Sequence, residues 1–275
     1  MGALHVRIGI ALPQGYFGDY AGWTPTAAWE RTVAIAQSAD RLGFDSIWLY
    51  DHLHTAPEPT DELTFESTTS VAALAAVTTR VRVGQLVLYS GFRRHPHVAA
   101  IAATMDALSR GRFELGLGAG WKAEEATAYG FRFPDAAGRL GLLDAQLRVM
   151  RERLPRVRIV VGGNGPQVTM RLAARYADEL DLNLLTPVEV ADALPIIRAR
   201  CDEAGRDPGS LSVSVQLRGE VVGRPGSDRI ARLAAYRELG LARVIVAIQS
   251  DLVAGEAALD LLAADARTAG VSLDA

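Results

Sequence analysis

The chain has 275 residues, of which 49% are hydrophobic, and this is enough to bury one full core. Its formal net charge of −3, with arginines scattered instead of clustered, argues against nucleic acid or an acidic membrane as a partner. The single cysteine, Cys201, excludes an internal disulfide framework and fits a reducing cytoplasm. Because the first residues show no pattern typical of a signal peptide or a membrane span, we expect one cytoplasmic domain over residues 1–275.

Apolar runs and helical periodicities alternate along the chain about eight times. The predicted strands are Val6–Leu12, Phe44–Tyr50, Val81–Leu88, Phe113–Leu117, Arg158–Val161, Asp178–Leu184, Leu211–Leu217 and Ala242–Ile248. The predicted helices are Ala27–Leu42, Ser67–Thr79, Pro96–Leu108, Lys122–Tyr129, Ala136–Arg153, Pro166–Tyr176, Val188–Ala204, Asp228–Leu239 and Gly255–Thr268. Near-continuous apolar strands that alternate with helices indicate parallel βαβ units with both faces of the sheet covered. The sequence therefore predicts a single-domain α/β protein with the (β/α)8 TIM barrel fold.

In such a barrel the chemistry lies where strands lead into helices, so the loops after the strands are the places to search. Four of the five histidines fall in these loops. The loops also hold most of the candidate polar and aromatic residues: Gln14, Asp51, His52, His54, Glu66, Tyr89, Arg93, Arg94, His95, His97, Trp121, Glu124 and Glu125. A hydrogen-bonded structural role suits any one of these histidines, whereas the group as a whole indicates a functional site.

The fourth predicted strand runs into three glycines at alternate positions, Gly116, Gly118 and Gly120. Successive side chains of a strand point to opposite faces, so glycines at this spacing leave one face of the strand end without side chains. A flat molecule could lie against that bare backbone. The alternative, that the glycines only allow a helix to pack closely on the strand, stays open.

A second glycine-rich turn, Gly162-Gly163-Asn164-Gly165, stands between the fifth strand and the next helix. Backbone N–H groups that converge near the start of a helix suit a phosphate. A tight turn needs the same residues, so the motif alone is weak.

Two kinds of barrel enzyme fit the sequence poorly. The pair His52-Leu53-His54 has the spacing of a metal pair, but no histidine follows His97 to complete a zinc site, so we predict no bound metal. A glycosidase needs two carboxylates over the barrel mouth, whereas Glu114 lies at the entry of its strand. An organic cofactor that brings its own redox chemistry to a phosphate anchor and a flat wall fits best.

Five segments in this order resemble the luciferase-like monooxygenase superfamily, and most closely its branch of oxidoreductases that depend on the deazaflavin coenzyme F420. They are the stretches 42–52, 72–84, 104–121, 129–131 and 160–163. The resemblance is dense up to about Tyr129 and thinner beyond. Independently of the strand and helix pattern, this resemblance implies the (β/α)8 barrel fold. It also implies that the protein is an enzyme that transfers a hydride between F420 and a small organic substrate.

The resemblance also implies roles for individual residues. His52, Trp121 and Glu124 match positions beside the cofactor and are predicted as catalytic. The predicted cofactor-binding residues are Asp51, Leu86, Val87, Tyr89, Gly118, Gly162, Gly163, Asn164 and Gly165, with the Leu86–Val87 bond matching a non-prolyl cis peptide of the family. Gln14 and Glu66, polar residues of the same loops, are predicted to contact substrate.

One departure from the family is large. Relatives usually carry a long irregular segment before the fifth strand, and here residues 150–159 make the whole connection. The pocket is then open, or is closed by a second subunit, and by analogy we expect a homodimer. Two further functions remain as alternatives: an FMN-dependent monooxygenase that receives reduced flavin from a separate reductase, and a catalytically silent relative that binds the cofactor.

Overall fold

The computed structural model describes residues 6–255 and 257–273, apart from the side chain of Glu220. The expectation about the first residues of the chain lies outside these ranges. The strands are β1 Arg7–Ala11, β2 Ser46–Leu49, β3 Arg82–Gln85, β4 Leu88–Tyr89, β5 Phe113–Gly118, β6 Arg158–Gly162, β7 Glu179–Asn183, β8 Ser212–Arg218 and β9 Arg243–Ala247. The helices are α1 Pro25–Leu42, α2 Ser67–Val77, α3 His95–Ser109, α4 Ala123–Ala128, α5 Ala136–Arg153, α6 Thr169–Tyr176, α7 Pro187–Glu203, α8 Ser227–Glu238, α9 Gln249–Ala254 and α10 Ala257–Thr268.

All neighbouring strands are parallel and they close into a barrel. Their order is β3-β2-β1-β9-β8-β7-β6-β5-β4, and a further pairing of β3 with β5 completes the ring. Since β3 and β4 both pair with β5, they are two pieces of one barrel strand, and the barrel has eight strands in all. The predicted (β/α)8 TIM barrel is confirmed.

The third predicted strand is interrupted. The peptide bond between Leu86 and Val87 is cis, as the family resemblance implied, and it separates β3 from β4. The sequence pattern of 81–88 gives no sign of this break, because Leu86 and Val87 at the break are as apolar as their neighbours Val83 and Leu88.

Short helices account for the other differences. The helix predicted from Pro166 begins at Thr169, because residues 166–168 form a turn. The segment Gln249–Ala254 forms α9, which was missed; at six residues it is too short to show a helical period. Longer helices carry clear end signals. Thr24 accepts a hydrogen bond from Ala27 N at the start of α1, and Gly43, with φ of 89°, ends that helix.

Side chains fill the barrel interior at the amino ends and in the middle of the strands. At the amino ends of the strands, Arg243 lies among the carboxylates of Glu114, Glu179 and Asp45. Above this layer the Trp48 ring fills the barrel, and a Cβ at Gly84 would overlap that ring. The carboxyl ends of the strands are the open part of the barrel. In the described parts of the chain, no helix has both the length and the apolar character to cross a membrane.

Candidate functional site

A cavity of about 700 Å³ opens at the carboxyl ends of the barrel strands. Its size, and a wall that combines aromatic and aliphatic side chains with a few polar groups, are typical of pockets for small molecules and cofactors. Nine of the predicted site residues line it: Asp51, His52, Leu86, Val87, Tyr89, Gly118, Trp121, Gly162 and Gly163. The cavity therefore lies at the loops after the strands, where the sequence analysis searched, while the roles of these residues stay predictions.

Asp51, directly after β2, is a buried carboxylate whose oxygens are all engaged. It accepts hydrogen bonds from Tyr89 N at 2.9 Å and from Ser67 Oγ at 3.0 Å. Arg93 donates to both oxygens, at 2.8 and 3.0 Å. A bidentate arginine of this kind fixes the orientation of a carboxylate. Asp51 thus holds β4, and with it the Tyr89 ring, against the end of β2.

His52 is held between an acid and an aromatic ring. Its Nδ1 lies 2.7 Å from Glu125 Oε2, and Leu53 N donates to the other Glu125 oxygen at 2.8 Å. The Tyr16 ring stacks on the imidazole with centroids 3.9 Å apart and an angle of 4° between the planes. Trp121 approaches the imidazole edge-on, with centroids 5.8 Å apart.

This arrangement fixes the tautomer of His52. Burial raises the pKa of Glu125, but the hydrogen bonds from His52 and Leu53 outweigh burial and lower it, so the carboxylate is ionised. An ionised carboxylate only accepts, and Nδ1 of His52 must therefore carry the hydrogen. Nε2 then has a lone pair in the neutral ring, and no described group bonds to it. His52 can accept or donate a proton at Nε2.

The prediction that Glu124 belongs to the site is corrected by the structure. Glu124 is exposed and lies outside the cavity, whereas its neighbour Glu125 is buried and lines it. Consecutive residues of a helix point about 100° apart, so α4 can direct only one of the two carboxylates toward His52.

The predicted substrate residues Gln14 and Glu66 also lie outside the cavity. Gln14 Nε2 donates to Tyr50 O and Phe65 O, and its Oε1 accepts from Tyr50 N, so the side chain joins three loop segments. Glu66 caps α2 by accepting from Thr68 N and Thr69 N. Both side chains are occupied by the backbone, and we assign them structural roles.

The glycines at the end of β5 do not form a bare strip. A Cβ at Gly116 would overlap the Gln85 carbonyl oxygen, and one at Gly118 would overlap the Val87 side chain. A Cβ at Gly120 would overlap the Tyr89 ring. The glycines therefore make room for the irregular segment around Leu86–Val87. Neither interpretation of the sequence predicted this, because the strand end is not bare and the segment packed against it is not a helix. The cavity wall at this point consists of Val87 and Tyr89 as well as backbone.

The turn 162–165 only partly matches the predicted phosphate anchor. Gly163 N donates to Asp181 O at 3.0 Å, so this amide faces the sheet. Asn164 uses its side-chain amide on both backbone groups of Asn183 and does not line the cavity; Gly165 does not line it either. Thr169, at the start of α6, does line the cavity and its hydroxyl makes no hydrogen bond to a described residue.

Several cavity residues were missed by the sequence analysis. Burial raises the pKa of Asp181 to about 7 despite a hydrogen bond from Ser214. It sits within a predicted strand, where the loop-based search does not look, and only its inward register could have revealed it. Tyr16, Lys122 and Arg218 also line the cavity. Across residues 6–255 and 257–273 no three side chains that bind metals come together.

Comparison with known proteins agrees with this architecture. Residues 7–155, more than half of the chain, match the family described as luciferase-like monooxygenase. A phthiodiolone/phenolphthiodiolone dimycocerosates ketoreductase from Mycobacterium tuberculosis is 30% identical over 235 residues, which span 70% of this chain and 61% of that protein. An F420-dependent glucose-6-phosphate dehydrogenase from Amycolatopsis mediterranei is 34% identical over 125 residues, 44% of this chain and 36% of that protein.

Two solved structures share the fold over nearly the whole chain. An F420-dependent secondary alcohol dehydrogenase, in complex with an F420–acetone adduct, superposes with a TM-score of 0.76 at 17% identity, covering 96% of this chain and 99% of the other. A monooxygenase from Streptomyces bottropensis superposes with a TM-score of 0.70 at 19% identity, covering 94% and 98%. The sequence match over residues 7–155 and the 30% identity to the ketoreductase show that the chain belongs to the luciferase-like monooxygenase family.

Proposed function

We propose that this protein is an oxidoreductase that transfers a hydride between coenzyme F420 and a small organic substrate bound in the barrel cavity. The observation that carries the proposal is His52, whose unbonded Nε2 stands in a cavity of about 700 Å³ while Glu125 holds its Nδ1. The names of relatives support the same chemistry, since they include a ketoreductase and two F420-dependent dehydrogenases.

The cavity offers surfaces that suit such a coenzyme. Leu86, Val87 and Gly118 form an apolar wall for a planar ring, and the buried Tyr89 hydroxyl above Gly120 has no hydrogen-bond partner among described residues. When bound, F420 supplies the carbon that accepts or gives the hydride.

The phosphate would lie near Thr169, at the start of α6. The Thr169 hydroxyl bonds to no described residue and is free to donate, whereas the Gly163 amide already donates to Asp181 O. We therefore place the main phosphate contacts a few residues later than the glycine pair.

His52 would handle the proton that accompanies the hydride. When an alcohol is oxidised, the carbon loses a hydride and the hydroxyl loses a proton, which Nε2 of His52 accepts. Glu125 then stabilises the positive imidazolium through its contact at Nδ1. When a ketone is reduced, the same Nε2 returns the proton to the new alkoxide.

A second function is favoured by the family description and by the monooxygenase that shares the fold. In that case the cavity would hold reduced FMN supplied by a separate reductase, and the protein would consume oxygen. The short connection of residues 154–157 between α5 and β6 leaves the mouth open in either case, and Trp121 at its rim is 69% exposed.

Titration of the purified protein with F420 and with FMN, followed by fluorescence, separates the two functions. We expect F420 to bind more tightly, and a secondary alcohol or ketone from a varied panel to change the redox state of the bound coenzyme. Absence of F420 binding, or preferred FMN binding with oxygen uptake, would contradict the proposal.

The substitution His52→Asn tests the proton role. Asparagine keeps an N–H near Glu125 but has no group at the position of Nε2, so F420 affinity should stay within about twofold while turnover falls by about 10²–10⁴-fold. Glu124→Gln is the matched control, since Glu124 is exposed and outside the cavity, and it should change neither quantity. Equal losses in both variants would remove His52 from the mechanism.

A further inference from the structure

Lys122 is a buried cation without an acceptor. Its side chain lines the cavity, the residue is only 5% exposed, and Nζ has no hydrogen-bond partner among the described residues. Its contact is with the Tyr16 ring, whose centroid lies 5.4 Å from Nζ. A cation–π contact of this kind compensates only part of the cost of removing an ammonium group from water. The structure therefore leaves the ammonium group of Lys122, a residue of the cavity wall, without an anionic partner among the described residues.

The neighbouring acids do not fill that place. Glu125 is engaged by His52 and by Leu53 N, and Glu124 is exposed on the other side of α4. Asp51 is paired with Arg93 in a bidentate contact. Burial raises the pKa of Asp181 to about 7, so that this carboxyl carries a proton for much of the time near neutral pH.

A second cation lies on the same side of the cavity. Arg218, at the end of β8, also lines the cavity and has its guanidinium carbon 4.4 Å from the Phe17 ring centroid. The Phe17 and Tyr16 rings are 4.6 Å apart, so the two cations lie on adjacent aromatic rings. Among described residues Arg218 forms no ion pair with a side chain. Two cations thus lie beside the Tyr16 and Phe17 rings, together with the ionised carboxylate of Glu125 that bonds to His52.

We propose that the substrate is an organic acid and that Lys122 binds its carboxylate, with Arg218 adding positive charge at the rim. A single buried ammonium suits a monoanion, whereas a phosphate dianion needs several donors. Because His52 and Lys122 both contact the Tyr16 ring, the carboxylate would lie near the carbon that reacts. This inference rests on the proposed oxidoreductase function for the reaction, but the binding of acids is testable without it.

The test uses the protein without coenzyme and matched pairs of ligands. Benzoate, phenylacetate and 3-phenylpropionate are each compared with the corresponding primary amide by isothermal titration calorimetry. A hydrogen bond to a charged group contributes enough that at least one acid should bind about tenfold or more tightly than its amide. If no acid of the panel is preferred over its amide, the proposal is wrong.

The variants Lys122→Met and Lys122→Arg locate the effect. Methionine has a similar length without the charge, so the preference for the acid should fall below about twofold; arginine should keep a preference. Removal of an unpaired buried charge should also leave the variant as stable as the parent or more stable, which thermal unfolding checks. A Lys122→Met variant that keeps the full preference would overturn the assignment.

A last measurement decides whether the anion that Lys122 binds belongs to the substrate or to the coenzyme. F420 affinity of Lys122→Met should stay within about twofold of the parent, because the phosphate is placed near Thr169. A loss of F420 affinity as large as the loss of acid preference would assign Lys122 to the coenzyme and overturn the proposal. If the parent protein does not bind F420 at all, the proposed reaction fails, while the comparison of acids with amides still decides the role of Lys122.

Discussion

The two ends of the barrel differ in how buried charges are paired, and strand β7 contributes one carboxyl group to each end. Glu179 and Asp181 are two residues apart and face the same interior. Burial alone would raise the pKa of Glu179, but attraction to Arg243 and Arg158 lowers it to about 2. Among the described residues no cation forms an ion pair with Asp181, and burial, with a smaller contribution from the charge of Glu179, raises its pKa to about 7. At the amino end Arg243 pairs with the buried carboxylates. At the carboxyl end Asp51 and Glu125 are paired, but Asp181 and Lys122 have no ionic partner among the described residues and are available to a ligand.

The largest expected effect comes from breaking the paired end. Arg243 is fully buried and donates to Asp45, Glu114 and Glu179 at 2.6–2.7 Å. Arg243→Met would leave three carboxylates buried near one another, so we expect a loss of about 3–5 kcal/mol in the free energy of unfolding, measured by urea denaturation.

The control for this substitution is Arg148→Met. Arg148 pairs with Asp144 on the exposed face of α5, at 3.1 Å, and its loss should cost at most about 1 kcal/mol. Equal effects of the two substitutions would show that the interior ion pairs contribute no more than a surface pair.

At the carboxyl end of the barrel, ionisation of Asp181 should make the free energy of unfolding fall as the pH rises. The folded pKa of Asp181, about 7, lies above the ordinary value of about 4, so the folded state binds this proton more tightly than the unfolded state. Its contribution to stability is complete below about pH 4 and is lost as the pH rises through about 7. Asp181→Asn should therefore be as stable as the parent at acid pH and more stable by roughly 2–4 kcal/mol at pH 8.

Thermal unfolding of both proteins between acid and weakly alkaline pH measures this difference. A constant difference in melting temperature across the range would mean that Asp181 does not titrate inside the barrel. Ser214 donates to Asp181 Oδ1 at 2.9 Å, and the asparagine carbonyl oxygen can accept the same hydrogen bond.

The contrast between the ends also explains what the sequence could predict. The alternation of apolar strands with helices specifies the barrel, and the barrel specifies that polar residues after strands meet at one end. His52 and Asp51 were predicted in this way to lie at that end, and both line the cavity. The role of Gln14 could not be found, because its partners Tyr50 and Phe65 lie 36 and 51 residues away and the backbone groups it joins leave no mark in the sequence.

The sequence also could not show which residues of a short helix face the cavity. Glu124 and Glu125 are adjacent residues of the same type. Only the position at which α4 begins decides which of them reaches His52. Helix boundaries read from a sequence are uncertain by a residue or two, which is enough to exchange the two. The same holds for the glycines of β5, whose spacing was recognised although the segment that covers them was not.

An intermediate effect is expected where those glycines meet Val87. A Cβ at Gly118 would overlap Val87 Cγ2, so Gly118→Ala should lower the free energy of unfolding by about 1–3 kcal/mol. The additional substitution Val87→Ala removes the overlapping methyl groups and should restore part of the loss. Gly141→Ala in α5, where nothing lies within 4 Å, should stabilise the protein by up to about 1 kcal/mol. Failure of the double variant to recover stability would mean that Gly118 is not a packing residue.

The smallest expected effect on stability concerns the turn after β6, where a substitution tests whether Asn164 stabilises the fold or binds the coenzyme. Asn164 donates to Asn183 O at 2.9 Å and accepts from Asn183 N at 2.8 Å, both exposed, so Asn164→Ala should cost about 1 kcal/mol of stability. It should leave F420 affinity within about twofold, because Asn164 does not line the cavity.

Thr169→Ala should do the reverse. The hydroxyl makes no hydrogen bond to a described residue, so its loss should leave unfolding nearly unchanged, but F420 should bind several-fold more weakly if the phosphate lies there. Weaker binding in Asn164→Ala than in Thr169→Ala would return the phosphate to the glycine turn itself. The pair of variants thus decides whether the anchor lies on the turn, as the glycines suggested, or at the start of α6, where the free donors are.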